Sequence, residues 1–85
     1  MKSYNNAFEL LTDDPAVVKL LTLKSNLMDT IVEKIHDLRI NQSEAAKIMK
    51  VTQPRVSNLK NGRISKFSYD MLFLMAERII NYKDE

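Results

Sequence analysis

The stretch Asn41–Arg63, NQSEAAKIMKVTQPRVSNLKNGR, decides how the rest of the 85-residue chain is read. Asn41 stands three positions before Glu44, the spacing of a reciprocal N-terminal cap in which each side chain serves the other's backbone N–H. Thr52 opens a second helix. Pro54 falls in its first turn, where a missing N–H has no intrahelical partner to lose. Asn61-Gly62 then supplies a stop, because these residues enter the left-handed region at low steric cost. The pattern predicts two short helices joined by a tight turn.

The apolar positions fit two helices wedged together. In the first, Ala45, Ile48 and Met49 share a face, and Ala46 beside them is small enough for close backbone approach. Val51 sits in the turn, where it can plug the angle. In the second helix only Val56 and Leu59 can point inward; Gln53, Arg55, Ser57, Asn58, Lys60 and Asn61 are polar. A helix with so narrow an apolar edge is held by its neighbours and presents its remaining surface to something polar. Gln, Asn, Ser and Arg carry the donor and acceptor geometry that reads base edges in the major groove.

With these residues in place, the stretch resembles the helix-turn-helix of the phage-repressor-like, XRE-type DNA-binding family. Gln42 opens the first helix, Ala46 holds the small-residue position, Val51 follows the turn, and Val56 and Leu59 anchor the recognition helix. The segment VTQPRVSNLKNGRISKFS, residues 51–68, resembles a small branch whose single-domain members include stand-alone regulators and HigA-type antitoxins. The likeness covers roughly residues 26–80 well and the N-terminal stretch more loosely. One departure stands out. Family members usually carry glycine where this chain has Lys50, so a non-glycine residue is expected at positive φ, at a cost of ~1 kcal/mol.

The resemblance implies a sequence-specific transcriptional regulator, a repressor, acting as a homodimer on double-stranded DNA. The helix Gln53–Asn61 of each subunit would enter successive major grooves about one helical turn, roughly 34 Å, apart. Base contacts are expected from Gln53, Pro54, Arg55, Ser57 and Asn58. The two amides are suited to adenine, Arg55 to guanine or to a phosphate, and Pro54 and Ser57 to apolar or short polar contacts. Gln42, Ser43, Lys60, Asn61 and Arg63 are expected to grip phosphates and set the register, helped by helix amino ends. Lys47, Lys50 and Lys66 contribute charge from further away. The alternative is an antitoxin that neutralises a protein toxin through residues 3–24 and binds DNA to repress its own operon.

Charge partition supports a DNA partner. Residues 1–40 carry five Lys/Arg against six acids, and residues 67–85 carry two against four. Residues 41–66 carry six against Glu44 alone, so the net +2 of the chain conceals a local +5 where phosphates would be met. Enzyme chemistry finds little to use. The chain has one glycine, no cysteine and one histidine, so it holds neither a glycine-rich phosphate loop nor a thiol nucleophile. His36 lacks companions for a zinc site and reads as a surface or half-buried residue. No metal or cofactor is expected. No run approaches the ~20 apolar residues of a membrane span. The start shows no signal-peptide pattern, and the expectation is a cytoplasmic protein.

Outside the central stretch, Asp13-Asp14-Pro15 predicts a helix start, with acids at the favourable end of the dipole. Apolar residues then recur with a helical period from Val17 through Leu20, Leu21, Leu27, Met28, Ile31, Val32, Ile35 and Leu38. One helix over about 14–39 is predicted, with Thr22, Ser25 and Asn26 as the positions where it would break. Its first half either supports partner contacts or enlarges the core. Residues 1–13, with Phe8, Leu10 and Leu11, offer a short helix after Asn6 that either folds onto the body or awaits a partner. Ser68 and Asp70 begin a final helix. There Leu72, Met75 and Ile79 suit one face, while Met71, Phe73, Leu74 and Ile80 exceed the needs of one small bundle and predict subunit pairing. The expected architecture is all-α, a compact bundle of about five helices. It divides into an N-terminal arm and helical extension (1–24), a helix-turn-helix domain (25–80) and a frayed tail (81–85).

Overall fold

The computed structural model describes residues 14–83. Four α-helices follow one another: α1 (Pro15–Leu38), α2 (Gln42–Met49), α3 (Gln53–Lys60) and α4 (Tyr69–Ile80), with a 3-10 turn at Ile64–Lys66 before the last. The all-α architecture agrees with the sequence reading. The remaining expected helix, after Asn6, lies outside the described residues.

Each helix starts where a short polar side chain meets its free amides. Asp14 accepts from the Ala16 N–H at 3.0 Å, with Pro15 as the first helical residue. The Asn41–Glu44 capping box is complete, at 2.8 Å from the Glu44 N–H and 3.0 Å from the Asn41 N–H. Thr52 accepts from the Arg55 N–H at 3.4 Å, and Ser68 from the Met71 N–H at 3.1 Å. The helix ends are equally local. Gly62 takes φ 69, Asn61 remains at φ −86, and the Gly62 and Arg63 amides close onto the Leu59 and Asn58 carbonyls at 3.1 and 3.0 Å.

Helix α1 runs unbroken through Thr22, Ser25 and Asn26. The hydroxyl of Thr22 donates to the Val18 carbonyl at 2.9 Å, so it joins the helix instead of competing with it. Ser25 is buried in line with Met28, Ile31 and Ile35. These pack on the inner face of α4, where Leu72, Met75, Ala76 and Ile79 are buried, and α2 and α3 close the core with Met49, Val56 and Leu59. Val17 and Leu20, in the half of the helix for which the sequence leaves core and partner contacts open, are exposed. So is Leu23, at 58%. The first turns of α1 run past the body, and a molecule 47 Å long and 19 Å across accommodates a helix of about 36 Å in just this way.

Two ties hold the frame. The hydroxyl of Tyr69 donates to the Leu20 carbonyl, and the Lys24 ammonium lies 5.3 Å from the Tyr69 ring centroid, fastening α4's first turn to α1. Burial raises the Tyr69 pKa above its ordinary value. Arg78, half-buried on α4, donates to the Met49 carbonyl at 3.1 Å and so satisfies an orphan acceptor at the end of α2.

The turn between α2 and α3 carries the expected strain. Lys50 has φ 60 and ψ 45, with the Val51 N–H closing onto the Ala46 carbonyl at 2.9 Å. A second left-handed residue, Arg39 at φ 57, ends α1. Lys50→Gly is expected to stabilise the fold by about 1 kcal/mol, raising Tm by about 4–8 °C for a domain of this size. Thermal unfolding checks this, and an unchanged or lowered Tm would mean that Lys50 is not strained as drawn.

A candidate nucleic-acid interface

Helix α3 is attached along one edge only. Val56 and Leu59 are buried, at 0% and 2% exposure, while Gln53, Pro54 and Lys60 are exposed and Arg55, Ser57 and Asn58 half-buried. At helical spacing, Gln53, Ser57 and Lys60 form one outward row, and Pro54, Asn58 and Asn61 form the next. The structure thus brings together on one surface the polar side chains the sequence singles out. Arg55 is the member of the set that turns inward. Its guanidinium carbon lies 5.9 Å from the Phe67 ring centroid, and Nη1 donates to the Met71 sulfur.

The phosphate candidates distribute over two helix ends. Gln42 and Ser43 occupy the first turn of α2 and are half-buried. Asn41 accepts from the Glu44 N–H and the Ala45 N–H, so the Gln42 and Ser43 amides, at the positive helix end, take no part in this cap. Lys60, Asn61 and Arg63 lie exposed at the far end of α3. Of the more distant cations, Lys47, Lys50 and Lys66 are all exposed.

Arg39 is a residue the sequence reading assigns to the acidic first segment. The fold places it with Lys60 and His36 along one open cleft of ≈ 540 Å³, floored by Val32, Ile35 and Ile40 and edged also by Asp37. The cationic rim of α3 therefore continues onto the turn between α1 and α2. No sequence signal points to this, because Arg39 and Lys60 meet only through the fold. Among the described residues no group of His, Cys, Asp or Glu is arranged to hold a metal ion, and no helix is long and apolar enough to cross a membrane.

A two-helix unit with a capped turn and one polar helix set on a basic rim is the arrangement that inserts a helix in the major groove. A family model described as a helix-turn-helix domain matches residues 10–79, most of the chain. The chain belongs to the helix-turn-helix domain family. Comparison with curated proteins and with solved structures returns no match. In this helix-turn-helix protein the matched residues take in α1, α2, α3 and all but the last residue of α4.

Proposed function

We propose that the protein is a sequence-specific transcriptional repressor that binds double-stranded DNA as a homodimer, one α3 helix per major groove. The observation that carries this reading is α3 itself: an eight-residue helix with two buried side chains and an otherwise polar exposed surface, inside a family of DNA-binding domains. Gln53 and Asn58 read bases, with Pro54 and Ser57 beside them. Gln42, Ser43, Lys60, Asn61 and Arg63 hold phosphates. Activity rests on binding and needs no metal, cofactor or catalytic group. Function divides at about residue 24 within the continuous helix α1, with residues 25–80 serving DNA and residues 1–24 serving protein contacts.

Selection of bound fragments from the host's genomic DNA tests the reading. It is expected to return a pseudo-palindrome with half-sites about one helical turn apart, whereas recovery of random fragments would remove the claim of specificity. Arg63→Ala is expected to weaken binding to all duplexes alike and to reduce the slope of log affinity against log salt by about 1. A loss confined to one sequence would make Arg63 a base reader.

Among the described residues, the large apolar side chains left exposed lie on α1, on α4 and just after α4: Val17, Leu20, Leu23, Phe73, Leu74, Ile80 and Tyr82. This supports pairing of two subunits through α4, leaving both α3 helices free. The expected result for Phe73→Asp is a shift from dimer to monomer in sedimentation, with a matching loss of affinity for the full operator. A variant that remained dimeric would move the interface elsewhere. The exposed residues at the start of α1 favour the second reading, an antitoxin that presents this segment to a protein toxin and represses its own operon. Co-purification with the product of an adjacent small gene supports it, and a chain that binds DNA alone under those conditions speaks against it.

A further inference from the structure

We infer that Arg55 is a positioning residue which fixes the rotation of α3 about its own axis, and not a reader of bases. The inference rests on the proposed DNA-binding role of α3. It starts from how weakly that helix is otherwise constrained. Val56 and Leu59 are its buried anchors and both lie on one edge. A helix pinned along a single line resists translation but can roll about that line. A roll of about 15° swings a side-chain tip about 5–6 Å from the axis by roughly 1.5 Å, which takes a hydrogen bond out of range.

Arg55 widens the line of attachment. It precedes Leu59 by four residues and Val56 by one, so its side chain leaves the helix about 40° beyond Leu59 and about 100° from Val56, on the far side of Leu59. The guanidinium lies over the ring of Phe67, a side chain only 2% exposed, and donates through Nη1 to the sulfur of Met71. Phe67 follows the 3-10 turn and Met71 lies in the first turn of α4, so the contact links α3 to an element outside the helix-turn-helix pair. A planar guanidinium stacks on a ring face and still directs a separate N–H at an acceptor, which a lysine ammonium cannot do in the same geometry. The arginine at this position therefore sets the presentation of Gln53 and Asn58 without touching a base.

The test uses the full chain and a set of duplexes comprising an operator recovered by genomic selection and its single-base variants. Arg55→Met is expected to lower affinity about tenfold for every duplex while leaving their rank order intact, and Met71→Leu, a volume-conserving change, to lower it by about threefold in the same uniform way. Because Arg55 and Met71 act through one contact, the double variant should be no weaker than Arg55→Met alone. Arg55→Lys, which keeps the charge but not the plane, should recover little. A loss confined to one operator position would overturn the inference in favour of base reading, and full recovery by Arg55→Lys would overturn it in favour of a phosphate contact. A second measurement needs no DNA: Arg55→Met should shift the amide resonances of Gln53 and of Ser57 to Lys60, beyond the immediate neighbours of the substitution, while those of α1 from Met28 to Ile35 stay in place. Unmoved α3 amides would overturn the inference directly. A wild-type chain without preference among the duplexes would instead remove the DNA-reading role, an outcome that the amide shifts distinguish from failure of the tether.

Discussion

Leu59→Ala is expected to cost 2–5 kcal/mol of stability, in the range of leucine truncations in well-packed cores. Leu59 is 2% exposed and is one of the two buried side chains of α3, the other being Val56. A domain of 85 residues draws its stability from a modest core, so this loss is a large share of a total on the order of 5–15 kcal/mol. At about 4–8 °C per kcal/mol, the thermal midpoint should fall by at least about 8 °C. DNA binding should fall equally for all sequences, because the damage is to the fraction folded. Urea denaturation monitored by circular dichroism checks the size, with Ile80→Ala as the comparison. Ile80 is 47% exposed, and its truncation should stay within about 0.5 kcal/mol if the subunit is measured as a monomer. Comparable costs at the two positions would mean that Leu59 is not an anchor.

The second large effect is expected on recognition and not on folding. Gln53→Ala and Asn58→Ala should each cost ~1–3 kcal/mol in operator affinity, the span of a bidentate amide–adenine contact, with relaxed preference at one or two positions and an unaltered Tm. The two sit on adjacent outward rows of α3, Gln53 exposed and Asn58 half-buried. Neither belongs to the buried core. Competition among single-base operator variants separates them, since each substitution should flatten a different position. If both variants kept wild-type affinity and preference, the readers of the sequence would lie elsewhere on the surface.

These two experiments divide along the line between what is local in the chain and what is not. The helix starts at Asn41, Thr52 and Ser68 are legible because a cap is an interaction between residues two or three apart, and the structure finds each one bonded as its spacing predicts. The positive φ of Lys50 comes from the resemblance instead, since family members usually carry glycine at this turn position, and the structure has φ 60 there. The inward positions Val56 and Leu59 also follow, because α3 carries no other apolar side chains except Pro54 that could be buried. By contrast, periodicity alone cannot tell Val17 and Leu20 from Met28 and Ile31. All four repeat at helical spacing, and what decides their burial is where α4 ends up against α1.

The sequence by itself determined the element order, the capped turn and the polar surface of α3, since each rests on contacts within one or two helical turns. Three things were decided only by the tertiary structure. The Tyr69 hydroxyl meets the Leu20 carbonyl across 49 positions of chain. Arg39 joins Lys60 on one rim, although the two belong to segments of opposite net charge. Arg55 turns from the expected DNA face to Phe67 and Met71. The physical reason is that only the packed helices bring distant residues within reach: Tyr69 and Arg55, which could have satisfied themselves toward solvent, find partners there, and Arg39 and Lys60 become neighbours on one rim.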